Sequence, residues 1–467
     1  MKVELLNDSF PPVIDGVANV VLNYAKILME KLDTSVIVGT PRYPKADYEG
    51  YPYPVVTYPS VNTTKIVAGY RAGNVMSWPQ AQALIGFSPD IIHTHCPVAS
   101  TLMARIVQNH TGAPIVFTYH TKFDVDIERA LGDGLMKKQA IKLMVDNISG
   151  CDEVWVVSQG AGENLKSLGY QGEYRVVDNG VDFAKGRAED ALVREVTAGF
   201  DLPEDVPVFL FVGRMMNYKG LPIIVDALGE LSQKNVEYRM VFVGGGADAK
   251  EMQERVKSLG IALDVVSEDG SVLHVDGTEG KTGRVLFAGA EHDRDRLRAW
   301  NTRADLFLFP SVYDTNGIVV REAAACGLAS VLVKGSCAAE GVTDGRNGYL
   351  IEENAESMAA MLTKLAPDLE KLRTAGQFAM DEIYISWEDS VREAYDRYEE
   401  ILQRKQEGTL PERKKQSLDY FIKGISGLSH GTDTLLTLPR TIYETMSDNF
   451  REWKEGLPLR GRGNTDE

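Results

Sequence analysis

At 467 residues the chain is longer than one hydrophobic core usually supports, so two domains and an appendage are expected. Its 44% hydrophobic and 25% charged residues describe an ordinary globular protein, and a formal net charge of -17 excludes nucleic acid as the main partner, because phosphate neutralisation needs clustered Lys and Arg. Four scattered cysteines, Cys96, Cys151, Cys326 and Cys337, form no C-x-x-C pair, so neither a disulfide framework nor a zinc site is expected and a reducing cytoplasm fits best.

The N-terminus passes from Met1-Lys2 into a strand holding Glu4, and no apolar run reaches the roughly 18 residues that a membrane span needs. Neither a span nor a secretion signal is therefore expected. The apolar strand Lys2–Leu6 runs into the loop Asn7–Gly16, then a helical pattern sets Val17, Val20, Val21, Tyr24, Ile27 and Leu28 on one face. Strands near Ser35–Val38, Asp90–His95, Pro114–His120, Glu153–Ser158 and Tyr174–Val177 alternate with helical stretches such as Thr101–Gln108 and Gly134–Asn147. That alternation indicates a parallel sheet.

The polar segment Phe183–Asp205 reads as a linker with one or two helical turns. A second series follows, with strands at Val208–Val212, Met240–Val243, Val285–Phe287, Asp305–Phe309 and Ser330–Val333 between helices at Leu221–Gln233, Lys250–Leu259 and Arg294–Trp300. An insert, Asp264–Val275, reads as a hairpin turning at Asp269-Gly270. Past Ser386 a helix reaches about Leu402. The near-neutral tail beyond it holds Arg404-Lys405, Arg413-Lys414-Lys415 and the apolar patches Tyr420-Phe421-Ile422 and Leu435–Leu438. The expected division is 1–185 and 186–386 for two doubly wound domains, 387–403 for a helix closing back on the first, and 404–467 for the tail.

Open parallel sheets bind ligands at the carboxyl ends of their strands, and the chemistry-bearing fragments fall there. Gly16 lets a backbone approach a ligand, or merely permits the turn. His120, in Thr118-Tyr119-His120-Thr121, suits a sugar hydroxyl or a hydrogen bond between domains. His93 and His95 have no acid or third ligand in view, so no metal is expected. Arg214 and Lys219, five apart in Val212–Gly220, suit phosphate oxygens, Arg as a fork and Lys as a point charge. Gly244-Gly245-Gly246 allows either a tight turn or a close approach to a base or phosphate. The stretch Ser311–Glu322 then joins a strand, a sharp loop and a helix start, with Asp314 on the loop and Glu322 on the helix. A helix start offers free N–H groups and partial positive charge to a phosphate.

In this order the pieces Pro12–Val17, Asp90–His95, Thr118–Thr121, Asn179–Asp182, Val212–Gly220, Val243–Gly246, Ser311–Gly327 and Asp344–Leu350 resemble the family 4 retaining glycosyltransferases of the GT-B fold. The spacing of Asp314 and Glu322 is that of the family's E-x7-E motif, with Asp in place of the first Glu. The variant Tyr313–Ile318 looks most like the bacterial enzymes that glucosylate diacylglycerol.

The resemblance implies an α/β architecture of two Rossmann-like domains facing a central cleft, acceptor domain first and nucleotide-sugar domain second, with a C-terminal helical tail. It implies that Arg214 and Lys219 stabilise the leaving diphosphate with N–H groups around Asn316, Gly317 and Ile318. Glu322 would accept from the ribose, Asp314 would hold hydroxyls of the transferred sugar, and His120 would meet that sugar from the other domain. Gly16 and Gly245 would let backbone approach the donor.

No cofactor or metal is implied; the expected partners are UDP-glucose, a lipid acceptor and an anionic membrane on its inner face. Lys65, Tyr70, Arg71, Trp78, Lys122-Phe123 and the basic, apolar helix Leu135–Met144 motivate the lipid. A soluble transferase acting on a sugar or metabolite would share every donor-site residue. A non-enzymatic nucleotide-sugar binding module would have less use for Arg214, Lys219 and Glu322 together.

Overall fold

The computed structural model describes residues 1–13, 15–62, 71–267 and 269–411. Lys65, Tyr70, the Arg413–Lys415 cluster and both apolar patches of the tail lie outside the described residues.

Among the described residues, nine strands belong to the first half: β1 Lys2–Leu6, β2 Ser35–Pro41, β3 Val55–Tyr58, β4 Ser60–Asn62, β5 Arg71–Gly73, β6 Ile91–Thr94, β7 Ile115–Tyr119, β8 Glu153–Val156 and β9 Arg175–Val176. Seven form one sheet in the order β3-β2-β1-β6-β7-β8-β9, every pair parallel, while β4 and β5 form a separate antiparallel ladder. The second half holds β10 Val208–Val212, β11 Arg239–Val243, β12 Ala262–Val266, β13 Val272–Val275, β14 Arg284–Gly289, β15 Leu306–Phe309, β16 Ser330–Val333 and β17 Tyr349–Ile351. These run β13-β12-β14-β11-β10-β15-β16-β17, parallel except for β12–β13, the hairpin of the insert, which adds an edge to the sheet. The architecture is the GT-B fold. Short strands such as β3 and β17 carry too few apolar residues to stand out by periodicity, and pairing with a sheet edge creates them.

Strand order reverses between β1 and β6 in the first sheet and between β10 and β15 in the second. At such a switch point the connections leave on opposite faces and open a crevice beyond the strand ends. The loops at these positions are Asn7–Gly16 with His95, and Gly213–Gly220 with Ser311–Gly317. Sheet topology therefore brings together the fragments that the sequence scatters.

The segment Phe183–Asp205 is more than a linker: Asp190–Thr197 is a helix, and Phe183, Ala188 and Val196 are buried in the core of the second domain. The chain returns at the other end. The helix Trp387–Gln406 buries Trp387, Val391, Tyr398 and Ile401 among Val3, Leu5, Tyr24 and Trp155 of the first domain. Arg397 forks onto both oxygens of Glu153 at 2.6 Å each, and Tyr398 stacks on Trp155 at 5.6 Å. Val181 bridges Ser386 where the two crossovers pass. No helix among the described residues is long and apolar enough to cross a membrane.

Glu4 lies fully buried in β1, and neither carboxylate oxygen has a hydrogen-bond partner among the described residues. Burial pushes its carboxyl up to about 8 from 4.5. The folded chain holds Glu4 protonated while the unfolded chain releases the proton above about 4.5, so stability is lost as pH rises between those values, by roughly 1.4 kcal/mol per unit. Glu4→Gln removes that term. Thermal unfolding at pH 5.5 and pH 7.5 is expected to show a higher Tm for the variant, with the larger gain at pH 7.5.

Candidate active site

The second-domain side of the cleft is built on three loops. After β10 the chain passes Arg214, which is exposed and makes no ion pair among the described residues, and a single 3-10 turn, Asn217–Lys219, ends at Gly220. Gly220 has φ +80, and a Cβ there would meet the Pro310 carbonyl oxygen at 2.5 Å. Only glycine lets this turn lie against the end of β15. The seating brings Lys219 onto Asp314, with which it forms an ion pair, while the Ser311 hydroxyl donates to the other carboxylate oxygen at 2.5 Å. Lys219 Nζ also lies 5.7 Å from the ring centroids of Tyr218 and Phe309.

Of the three glycines, Gly244 and Gly246 serve packing. A Cβ on Gly244 would lie 1.9 Å from the Gly213 carbonyl oxygen, and one on Gly246 would lie 2.3 Å from that of Met215. Their role is to press the β11 loop against the β10 loop, where Met215 N–H donates to the Gly245 carbonyl at 2.9 Å. Gly245 is exposed, with only Ala290 Cβ near a built Cβ, at 3.9 Å.

The third loop starts a helix and also spans the cleft. The helix begins at Ile318 with Gly317 as its cap residue and no side-chain cap. Asn316 is expected to offer backbone, yet its side chain is committed: Nδ2 donates to the Val157 carbonyl of the first domain at 2.5 Å. The Thr315 hydroxyl donates to the His120 carbonyl at 2.6 Å. The Glu340 carboxylate accepts from Gln159 and Gly160 N–H, at 2.6 and 2.7 Å, at the start of the helix Gln159–Ser167. Charge-assisted bonds such as those of Glu340 contribute about 1.5–3 kcal/mol each, and with the neutral bonds of Thr315 and Asn316 they hold the two domains across the cleft.

Glu322 is 8% exposed, and Arg294 holds its Oε1 at 2.5 Å. Burial raises its carboxyl above the usual range and Arg294 opposes that rise. Sequence reasoning placed Arg294 only at a helix start; its signal was the charged run Glu291–Asp295 directly after a strand.

On the first domain Gly16 opens the helix Gly16–Leu32, exposed, with nothing within 4 Å of a built Cβ. Packing does not demand glycine here. Asp15 caps that helix through Ala18 N–H at 2.7 Å. His120 is buried beside His95, whose Nδ1 lies 3.0 Å from His120 Nε2. His93 Nδ1 meets the Tyr398 hydroxyl at 2.6 Å, and its Nε2 meets the Thr118 hydroxyl at 2.7 Å. His95 Nε2 is buried with no partner among the described residues. Burial holds His120 down to about 3 and His93 and His95 well below the ordinary histidine range. The three rings are neutral at neutral pH, and His95 and His120 share one proton. His93 and His95, with ring centroids 4.1 Å apart, form a row that supports His120.

Two family models match the chain: glycosyltransferase family 4 over residues 14–185 and glycosyl transferases group 1 over residues 206–368. The chain is a glycosyltransferase, with one family of these enzymes matched in each domain. It is 26% identical over 320 residues to a D-inositol 3-phosphate glycosyltransferase of Nocardioides sp., covering 66% of this chain and 67% of the relative. It is 22% identical over 366 residues to the alpha-monoglucosyldiacylglycerol synthase of Acholeplasma laidlawii, covering 76% and 86%. Anabaena HepE, solved in complex with UDP-glucose, shares the fold with a TM-score of 0.60 at 19% identity, over 86% of this chain and 99% of that one.

His95→Leu frees the His120 ring and is expected to lower transferase turnover by about tenfold to a hundredfold, as small displacements of a positioned group do. His95→Asn, whose amide can remake the bond, should retain most of it. Steady-state kinetics should place the loss in kcat, with the donor KM little changed.

Proposed function

We propose that the protein is a retaining, metal-independent hexosyltransferase that moves glucose from UDP-glucose to a lipid acceptor such as 1,2-diacylglycerol, making an α-glycolipid at a membrane surface. Lys219, Arg214 and the Ile318 helix start supply the positive charge that a departing diphosphate requires, and UDP-glucose is the ligand of the structurally similar HepE. The bond from the sugar C1 to the β-phosphate oxygen breaks. The acceptor oxygen bonds to C1 on that same face, and its proton passes to the departing phosphate. Asp314 holds sugar hydroxyls, Glu322 accepts from the ribose, and His120 faces the sugar from the first domain.

The observation that carries the lipid acceptor is one exposed surface of that domain. On the helix Leu135–Ile148, Leu135, Lys138, Gln139, Lys142 and Leu143 share a face at helical spacing. Leu135 is 73% and Leu143 61% exposed. Val98, 60% exposed, lies near the C-terminal end of this helix, where Asn147 Nδ2 donates to the Pro97 and Val98 carbonyls. So much apolar surface in contact with water fits an interface helix. Lys142 pairs with Asp146 and Lys137 with Glu128, so apolar burial rather than net charge dominates this contact. The inositol phosphate relative supports a second reading, a soluble acceptor.

Labelled UDP-glucose, UDP-galactose and GDP-mannose, each offered with diacylglycerol vesicles and with inositol phosphate, separate the readings. UDP-glucose with diacylglycerol is expected to give an α-linked product, and transfer to inositol phosphate alone would overturn the lipid reading. Leu135→Asp with Leu143→Asp should abolish co-sedimentation with anionic vesicles, while raised salt should weaken it only modestly. Arg214→Ala and Glu322→Ala should each lower activity at least about tenfold, as loss of a charged contact does.

A further inference from the structure

Arg294 stands outside every motif the family resemblance supplied, yet it is the cation on the buried carboxylate at the donor site. A buried carboxyl without a counter-charge takes up a proton and can no longer accept two hydroxyl bonds. Arg294 Nη2 sits 2.5 Å from Glu322 Oε1, and no other hydrogen bond to that carboxylate is present among the described residues. One oxygen is thus held and the other is left for a ligand.

The arginine itself is firmly placed. It is the first residue of the helix Arg294–Arg303, whose cap Asp293 accepts from Asp295 and Arg296 N–H at 2.8 and 3.1 Å. Glu291 braces the same turn through His292 N–H, Asp293 N–H and Arg296 Nε, at 2.9, 3.0 and 2.9 Å. The guanidinium lies 4.4 Å from the centroid of the Phe183 ring and 3.8 Å from Asp182. Asp182 and Phe183 follow the crossover from the first domain, so one side chain touches both that crossover and the carboxylate.

We propose that Arg294 is a positioning residue for nucleotide recognition, holding Glu322 ionised and turned so that its second oxygen accepts from the ribose hydroxyls of a nucleoside diphosphate sugar. The inference rests on the assignment of Glu322 to the ribose made above. It assigns to this chain a residue that acts through Glu322 and leaves the phosphates to Arg214 and Lys219. The groups facing Glu322 are Arg294 from the helix Arg294–Arg303, Asp182 from the crossover, which raises the carboxyl further, and the buried Cys326 thiol that follows Glu322's own helix. Without Arg294, burial and the charge of Asp182 both favour protonation, so ribose recognition should fail first at the acidic end of the pH range.

The experiment measures dissociation constants by calorimetry for UDP and 2′-deoxy-UDP from pH 5.5 to 8.5, using the full chain as wild type, Arg294→Ala, Arg294→Lys, Glu322→Gln and the Arg294→Ala/Glu322→Gln double variant. GDP and ADP with their 2′-deoxy forms run in parallel, so that the identity of the base does not decide the result. Wild type should prefer the ribonucleotide by about tenfold, the worth of a hydrogen bond to a charged group. Arg294→Ala should lose that preference and weaken most below neutral pH, and Arg294→Lys should restore part of it. In the Glu322→Gln background, removing Arg294 should have no further effect on the ratio. An unchanged ribo-to-deoxy ratio in a folded Arg294→Ala, or an undiminished Arg294→Ala effect in the Glu322→Gln background, overturns the inference and leaves the donor assignment standing. Wild type binding none of the diphosphates overturns the donor assignment, and this inference with it.

Discussion

Two hydrogen bonds, from the Thr315 hydroxyl and the Asn316 amide, tie the second domain to backbone carbonyls at the ends of β7 and β8 in the first. The active site depends on this tie, because the loop that makes it is the loop that carries Asp314 and starts the helix of Glu322. Each acceptor is the carbonyl of a residue just past a strand end, where the ladder no longer uses it. With Glu340 on two free amides of the helix Gln159–Ser167, the bonds place two parallel sheets end to end at their switch points. Lys185, Arg321 and the helix Trp387–Gln406 reinforce the same arrangement further from the cleft.

Charge within the site is balanced locally, although the chain as a whole is strongly acidic. Lys219 is satisfied by Asp314 and Glu322 by Arg294, while Arg214 stands exposed. On the proposed reading, a diphosphate would replace one anion on Lys219 with another and add Arg214, without a positive pocket having to be assembled from nothing. Removing a single member of such a partly buried pair leaves the other charge poorly solvated, which is more damaging than the net worth of the pair suggests. Asp314 is one methylene shorter than glutamate, and it meets Lys219 because the glycine at 220 presses that turn onto Pro310.

The first domain contributes neutral groups. The histidine row runs from Tyr398 and Thr118 through His93 and His95 to His120, packed under Tyr24 and Trp155. Burial keeps it uncharged, so the wall it lends to the cleft donates or accepts hydrogen bonds without adding to the charge there. That suits the side of a transferase on which a neutral hydroxyl arrives. The exposed leucines of the helix Leu135–Ile148 are on this same domain.

Periodicity in the sequence was enough to determine two parallel α/β domains, because buried parallel strands are near-continuous apolar runs and their crossover helices are amphipathic. The residue types at strand ends and the spacing of Asp314 and Glu322 determined the family. Tertiary structure alone decided which charges meet. Arg294 and Glu322 are on the helices that follow two different strands, His95 and His120 lie at the ends of neighbouring strands, and Asn316 reaches across to Val157. None of these pairs shares a helix face or a local turn, so no short-range pattern encodes them. They exist because strand order in each sheet sets which loops become neighbours, and strand order is fixed by the packing of the whole domain.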